Sequence, residues 1–395
     1  MYGVVSNRFR FWTLVVTVAV SGFSQGMLTP LIAIIFEQDG IPSSVNGLHA
    51  TSIYIGMLLA APFMETPIRK FGYKPMIMTG GIIVITALVL FPVWKSIWFW
   101  FILRLLVGIG DNMLHFGSQT WITSFSPEHK RGRNISLYGL FFGLGFAGGP
   151  MMARLLEVNE ALPFMLSAGL SLLVWLPLWL LRNEFPEKSE EKSSFFDTFS
   201  RFGKAWKYGW IAFLFPFCYG FLEASLNGSF PIYALRIGID AQNVAFILPA
   251  FALGSIVFQL PLGMLSDHYG RKSILMVALI IGLTSFTAAG LMKESVMGLA
   301  VCFFIAGMLV GSTFSLGVSF MVDLVPKHLL TAGNIMCSIL FSIGSISGPF
   351  VGGFMMQYVE GINLFFTMSM MLGLVLLALI SSKPKVESAD LNKTA

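Results

Sequence analysis

GMLSDHYGRK, at residues 263–272, is a short charged turn between two long apolar runs near 244–265 and 274–292. Gly270 permits a tight turn that other residues avoid, and Arg271 and Lys272 would hold the turn at an anionic membrane surface. Asp267 stands where it can cap or pair with a neighbouring helix end. Such a turn between apolar runs predicts a loop that joins two membrane-spanning helices.

The whole chain has the composition of a membrane protein. Of its 395 residues, 55% are apolar and 11% are charged, and the mean hydropathy is +0.77. A soluble domain usually carries about 25% charged residues, so this chain has too few charges to coat a soluble surface. Twelve spans of about 20 residues would use about 240 residues and leave only short loops.

Division of the chain at its charge clusters predicts twelve spans. They lie near 11–36, 45–68, 76–94, 98–125, 134–156, 162–181, 208–235, 244–265, 274–292, 297–323, 334–357 and 362–381. The first run is too long for the apolar part of a signal peptide and is kept as a span. The predicted fold class is an all-α polytopic membrane protein with twelve transmembrane helices.

The basic residues predict the orientation of these spans. If both termini lie on one side, 20 of the 25 Lys and Arg fall on that side and only Lys95, Arg154, Arg236 and Lys293 fall on the other, with Arg104 inside a span. The positive-inside rule then puts both termini in the cytoplasm, and the compact loops favour a bacterial inner membrane. Because the bases cluster at span ends, the net charge of +5 does not indicate nucleic-acid binding.

An internal repeat predicts two pseudo-symmetric halves of six helices each. Residues of the same type recur 199 apart at Pro127 and Pro326, His129 and His328, Gly149 and Gly348, and Pro150 and Pro349, and 198 apart at Gly72 and Gly270, and Lys74 and Lys272. The predicted domains are an N-terminal half at 1–182, a cytoplasmic connector at 183–207, and a C-terminal half with a cytoplasmic tail at 208–395. The amphipathic run near 195–206 is expected to lie on the inner leaflet. Parallel repeats place a substrate site between the halves near the midplane.

The turn at 263–272 resembles the loop signature of the major facilitator superfamily, G-x-L-a-D-r-x-G-r-[RK]. The span near 98–125 carries Arg104-x-x-x-Gly108-x-Gly110, which is similar to the second motif of that family. Gly344-x-x-x-Gly348-Pro349-x-x-Gly352-Gly353 and Gly145-x-x-x-Gly149-Pro150 resemble the motif of its exporters, with the better copy in the eleventh span instead of the fifth. The resemblance implies a secondary carrier of the twelve-helix drug-efflux type. Small residues at this spacing also simply let membrane helices approach each other.

The equivalent loop of the first half departs from the signature. ETPIRKFGYK, at residues 65–74, keeps Gly72 and Lys74 but has Glu65 for the first glycine and Arg69 for the aspartate. A standard latch between helices is therefore not expected in the first half.

Ionisable residues inside the spans mark the candidate site, because a charge in the membrane costs several kcal/mol. Arg104, Asp111 and His115 share one helical face, with Gln119 nearby. This face is expected to line the central cavity, where Asp111 and His115 can hydrogen-bond directly and Arg104 acts through water or another helix. The other interpretation is a structural cluster that orients helices.

The seventh span supplies a second polar row. Tyr219, Glu223 and Asn227 recur every four residues, with Glu223 near mid-depth. Glu223 is either a carrier of protons or substrate or a buried acid with no role in transport. Gln25 and Gln259 are candidate hydrogen-bonders in the cavity, and each alone could instead bind a neighbouring helix.

Several functions lack their sequence signals. No pair of His, Cys, Asp or Glu has zinc-site spacing, and neither a Walker loop nor a GxSxG elbow occurs, so neither a metal site nor a cofactor is predicted and the chain is not expected to be an enzyme. Cys218, Cys302 and Cys337 lie in apolar runs and are expected to pack.

The favoured function is proton-coupled export of a moderately hydrophobic small molecule, cations included, by a monomeric carrier in which the halves rock around a central site. Asp111 and Glu223 would bind protons and cations. One alternative is uptake or exchange of an anionic or polar metabolite at Arg104, and another is lipid flipping. From outside this class, a polytopic membrane enzyme or receptor would share the hydropathy, but it would not predict the repeated loop.

Overall fold

The computed structural model describes residues 7–185, 195–326, 329–359 and 363–382. The described chain is helical, with these sixteen α-helices: α1 (Asn7–Gln38), α2 (Ser43–Ala50), α3 (Ser52–Ala60), α4 (Glu65–Phe71), α5 (Tyr73–Leu90), α6 (Ile97–Phe125), α7 (Glu128–Gly148), α8 (Leu162–Trp175), α9 (Phe195–Gly228), α10 (Phe230–Arg236), α11 (Ala241–Tyr269), α12 (Arg271–Leu291), α13 (Val296–Val310), α14 (Thr313–Leu324), α15 (Leu330–Tyr358) and α16 (Leu364–Ser381). Short 3-10 segments extend several of them, among them Gly149–Glu157 after α7 and Leu176–Leu180 after α8.

Eleven helical segments of the described chain are long and apolar enough to cross a membrane. The remaining predicted span, near 45–68, is divided into α2, α3 and α4. At the first break, the Thr51 hydroxyl donates to the Leu48 carbonyl at 2.6 Å and the Ser52 hydroxyl donates to the His49 carbonyl at 2.7 Å. Such local bonds compete with the helical ladder, which explains the interruption. The predicted fold class is confirmed, with a broken second span.

The amphipathic run near 195–206 does not form a separate surface helix. It is the first part of α9, which continues for 34 residues into the seventh span. Ala205 is fully buried, whereas Trp206 is exposed and its ring stacks on Phe213 of the same helix at 5.8 Å. No proline interrupts the helix before Pro216, so the run is continuous with the seventh span, and its position at the inner leaflet stays a prediction. Connector residues 186–194 and the tail from residue 383 lie outside the described residues.

The two halves repeat the same contacts at one end of the bundle, which we call the Gly270 end. Gly72 and Gly270 have φ angles of 87° and 86° and each precedes a helix, as the turns require. Lys74 Nζ donates to the Leu181 carbonyl at 2.8 Å, and Lys272 Nζ donates to the Ser382 carbonyl at 3.0 Å. Each lysine therefore ties the third helix of its half to the end of the sixth.

At the opposite end, which we call the Arg236 end, the halves are joined to each other. The contacts that cross between them include Arg236 with Glu37, where Nε and Oε1 are 2.7 Å apart; Gln242 with Glu157, at 2.6 Å; and the Ser43 hydroxyl with the Gly353 carbonyl, at 3.2 Å. A Cβ added at Gly47 would lie 3.1 Å from the Gly353 Cα, so the absence of side chains lets α2 and α15 touch. The bundle is closed at this end.

Candidate functional site

A cavity of about 170 Å³ lies between the two halves. Its apolar wall includes Phe142 and Phe146 from α7, and Leu226, Phe251 and Phe314 from the second half. Its polar groups are Tyr219, Glu223, Asn227, Ser255, Gln259 and Ser315. Three lining residues, Gly139, Leu140 and Gln259, are exposed, so the cavity reaches the surface on the side away from the Arg236 end.

Glu223 is the charged side chain of this wall. The four-residue spacing on α9 aligns Tyr219, Glu223 and Asn227 on one face, as predicted, and all three line the cavity. The Asn227 amide donates to the Glu223 backbone carbonyl at 2.8 Å, whereas no hydrogen bond or ion pair reaches the Glu223 carboxyl from the described residues. The wall thus offers one unpaired acid among aromatic rings.

Arg104 lies outside the cavity wall, where it is fully buried in α6. Its Nη1 is 3.2 Å from His49 Nδ1 on α2, and its Nη2 donates to Thr29 Oγ1 at 3.3 Å on α1. Its Nε has no partner among the described residues, and none of their carboxylates forms an ion pair with it. Arg104 is therefore a buried cation whose contacts lie on other helices, as expected.

His49 was not among the predicted site residues, because its place near the start of a span made it unremarkable. In the structure it is 1% exposed, and its Nε2 lies 3.2 Å from the Ile97 carbonyl. Since a carbonyl can only accept and a guanidinium can only donate, Nε2 carries the proton and Nδ1 accepts from Arg104. An ionisable side chain in an apolar run was the signal that could have identified it.

Asp111 and His115 are bridged by a third residue instead of meeting directly. Ser21 Oγ on α1 donates to Asp111 Oδ1 at 2.7 Å and lies 3.3 Å from His115 Nε2. Gln25 Nε2 is 3.4 Å from the same ring nitrogen, so Gln25 contacts α6 instead of lining the cavity. Tyr138 Oη on α7 lies 2.9 Å from His115 Nδ1.

The expectation that this face of α6 lines the cavity is wrong for Arg104, Asp111 and His115. Close packing explains the difference. A Cβ on Gly108 would lie 2.9 Å from the Ile53 carbonyl carbon, so its absence brings α6 against α3. Gln119 is exposed on the same helix.

The loop signature of the second half forms a chain of charges. Arg271 lies 3.3 Å from Asp267 Oδ1 and 3.2 Å from Asp323 Oδ2, near the end of α14. Arg271 and Lys272 thus bond to protein groups. Asp267 is paired at a helix end.

The first half replaces this chain with residues that follow its sixth span. Glu184 forms an ion pair with Arg10 and accepts a hydrogen bond from Trp121 Nε1 at 2.8 Å. Asn183 accepts from the Lys74 backbone N–H at 3.2 Å and donates to the Phe71 carbonyl at 2.8 Å. Glu184, which lies outside the loop, therefore ties α1 to α6 in this half.

The two Gly-Pro motifs let neighbouring helices approach closely. A Cβ at Gly149 would lie 2.6 Å from the Phe23 carbonyl oxygen, and one at Gly348 would lie 2.6 Å from Ser225 Oγ. Pro150 also lines the cavity, whereas Pro349 lies within α15. Both halves thus pack their fifth helix against their first at equivalent positions.

Comparison with known proteins identifies the family. A family model described as Major Facilitator Superfamily matches residues 14–239 and 212–395. The chain belongs to the major facilitator superfamily. It is 55% identical to the uncharacterized MFS-type transporter YfkF of Bacillus subtilis (strain 168), over 96% of this chain and 97% of that protein. It is 24% identical to the uncharacterized MFS-type transporter Ent638_1421 of Enterobacter sp. (strain 638), over 94% of this chain and 93% of that protein.

Solved structures agree with this fold at low identity. The nucleoside transporter NupG matches with a TM-score of 0.76 and 15% identity, over 96% of this chain and 100% of that one. A bacterial homolog to the human lysosomal transporter Spinster, inward-facing and unoccupied, matches with a TM-score of 0.70 and 15% identity, over 95% of each chain. The protein is a multi-pass membrane transporter of small molecules that works as a secondary carrier, and it is not an enzyme.

Proposed function

We propose that this transporter exports a moderately hydrophobic organic cation in exchange for protons. The observation that carries this proposal is the unpaired carboxyl of Glu223 in a wall of aromatic rings. Within the described wall the ionisable groups are Glu223 and Tyr219, and no Lys or Arg faces the ligand space. Phe142, Phe146 and Phe314 offer apolar and cation–π contacts to a flat or bulky cation.

Exchange follows from competition for one carboxyl. An isolated carboxylate in an apolar cavity is costly, so it is stable only when it binds a proton or a cation. Binding of the organic cation to Glu223 therefore releases a proton, and binding of a proton releases the cation. Alternating access turns this competition into antiport.

The proposed orientation places the Gly270 end, both termini and the 183–207 connector in the cytoplasm of a bacterial cell, with the carrier acting as a monomer in the inner membrane. The Lys and Arg asymmetry supports it. In this orientation the bundle is closed towards the outside by contacts such as Arg236 with Glu37, and the cavity is open to the cytoplasm.

Proton-driven uptake of ethidium into inverted vesicles tests this proposal. Glu223→Gln keeps the shape of the side chain and removes its charge, so we expect gradient-driven uptake to be lost and the wild-type rise of ethidium affinity with pH to disappear. Glu294→Gln, the same change at an exposed residue outside the cavity wall, is the matched control. Normal transport by Glu223→Gln would overturn the proposal.

A second candidate is uptake or exchange of an anionic or polar metabolite at Arg104. It is favoured by the Arg104 Nε, which is buried without a partner among the described residues. The similar fold of the nucleoside transporter NupG is compatible with a polar substrate. The same fold is also compatible with lipid flipping, the other alternative. If Arg104→Gln lost anion or nucleoside uptake and Glu223→Gln kept it, the result would favour this candidate over cation export.

A further inference from the structure

A chain of polar side chains lies behind the cavity wall, between α1, α6 and α7. It runs from Asp111 through Ser21 and His115 to Tyr138, with heavy-atom separations of 2.7, 3.3 and 2.9 Å. Asp111 is fully buried, and its Oδ2 has no partner among the described residues. A carboxylate with an unpartnered oxygen is poorly stabilised at such a site, so Asp111 is suited to accept a proton.

Phe142 separates this chain from the cavity. Its ring lines the cavity and also meets the His115 ring edge-to-face, with centroids 4.8 Å apart. Neither Asp111 nor His115 belongs to the cavity wall, whereas Glu223 does. The two intramembrane acids therefore face different surroundings.

We propose that Asp111 is a proton-binding site separate from the substrate cavity, and that Ser21 and His115 relay protons to it from the Tyr138 side. This inference rests on the proposed proton coupling, and it assigns different roles to Asp111 and Glu223. Glu223 binds the cation, and Asp111 binds a proton. Ser21, His115 and Tyr138 are positioning residues of the proton path.

The proposed relay transfers one proton from water to Asp111 without a net change at Ser21, His115 or Tyr138. When Asp111 is ionised, Ser21 donates to Asp111, His115 Nε2–H donates to Ser21, and Nδ1 accepts from Tyr138. In this state the Gln25 amide must turn its oxygen, and not its nitrogen, towards His115 Nε2–H, because an amide nitrogen can only donate. A proton taken up from water at Nδ1 displaces the Nε2 proton to Ser21, and the Ser21 proton passes to Asp111. His115 Nδ1–H then donates to Tyr138, whose hydroxyl turns to the His115 backbone carbonyl, 3.3 Å away. Every bond of the chain is kept in both states, and one proton has been added to Asp111.

The neighbouring helices contribute few other groups that could bind the proton that the relay transfers to Asp111. The titratable groups within hydrogen-bonding distance of the relay, among the described residues, are Asp111 and His115 on α6 and Tyr138 on α7. α1 contributes the neutral Ser21 and Gln25, and Arg104 lies about two helical turns from Asp111. α3 and α5 also pack against α6, and their described residues form no hydrogen bond with the relay.

Infrared difference spectroscopy tests the relay without any substrate. In the Glu223→Gln protein, acidification should produce a protonated-carboxyl band that is absent after a further Asp111→Asn change. After a rapid pH jump, Ser21→Ala should slow the appearance of this band by about tenfold or more, because it removes the bridge. Ser24→Ala is the matched control on α1, since its hydroxyl bonds to Ser167 at 2.8 Å, outside the relay.

Absence of an Asp111-dependent band, or equal rates in Ser21→Ala and Ser24→Ala, would overturn the inference.

Ethidium binding provides the second test. Asp111→Asn should keep ethidium affinity within about threefold of wild type while gradient-driven uptake is lost, whereas Glu223→Gln loses binding. Loss of ethidium binding in both variants would show one shared site and would also overturn it. If the wild type binds no ethidium, the proposed substrate is wrong, and the infrared arm still decides the relay.

Discussion

Arg236 Nε donates to Glu37 Oε1 at 2.7 Å, and the two residues join α10 to α1 across the two halves of the transporter. Arg236 Nη1 also donates to the Met356 carbonyl at 3.2 Å. These bonds must break when the carrier opens at this end, so they stabilise the conformation described here.

Glu37→Gln should weaken this closed end. We expect a cysteine introduced at the buried Ala50, next to Gly228, to react faster with an impermeant thiol reagent added from the Arg236 side. Lys95→Gln is the control, because Lys95 pairs with Asp39 and Glu160 within one half. Equal labelling rates in both variants would contradict a gate at Arg236.

The ion pairs of Lys95 predict a pH dependence of stability. Partial burial opposes the charge of Lys95, but the hydrogen bonds that it donates to Asp39 and Glu160 outweigh burial and raise its pKa above the usual value. A raised lysine pKa stabilises the fold fully below the unfolded value of about 10.4, and the effect is lost as pH rises through the folded value. The thermal midpoints of wild type and Lys95→Met should therefore differ by a constant amount at pH values well below the unfolded pKa and converge once the pH has risen above the raised folded pKa. A difference that persisted at the alkaline end would show that the Lys95 stem, and not its charge, stabilises this end.

Asp267→Asn should slow transport with little change in substrate affinity. The variant keeps the shape of the side chain but releases Arg271 from one of its two acids, which shifts the balance between access states. Asp323→Asn, which releases the same arginine, should act in the same direction. Vesicle uptake rates and ethidium affinity measure the two effects, with Glu294→Gln as the control. Wild-type uptake rates in Asp267→Asn would show that Asp267 in the turn at 263–272 does not affect transport.

Single-cysteine labelling tests the proposed orientation. A cysteine introduced near Lys192, which lies outside the described residues, should react with an impermeant reagent only in inverted vesicles or broken cells, because the Lys and Arg asymmetry puts the connector inside. One introduced at Glu294 should react in intact cells. The reverse pattern would invert the topology and, with it, the direction of export.

Gly108→Ala should destabilise the first half. The added Cβ would lie 2.9 Å from the Ile53 carbonyl carbon, which is closer than packed atoms tolerate, so a loss of about 1–3 kcal/mol is expected. Gly169→Ala is the matched control, because nothing lies within 4 Å of its added Cβ. Thermal denaturation in detergent should give a lower midpoint for the first variant and an unchanged or slightly higher one for the second. Equal midpoints would mean that α3 and α6 can separate at little cost.

The sequence alone determined the membrane class, the twelve-span plan and the repeated turns at Gly72 and Gly270. These features depend on local chemistry: apolar length, charge at span ends and glycine where φ is positive. The polar face of α9 was predictable for the same reason, since helical periodicity aligns Tyr219 with Glu223 whatever the helix packs against.

Tertiary structure decided which polar residues meet. Periodicity placed Asp111 and His115 on one face, but Ser21 comes between them from α1, 90 residues earlier in the chain than Asp111. His49 meets Arg104 from 55 residues away, and Glu184 meets Arg10 from 174 residues away. Such partners depend on how closely helices approach, which positions such as Gly108 control by lacking a side chain. A one-dimensional pattern shows which face of a helix is polar, but only the packed bundle determines whether that face meets a cavity or another helix.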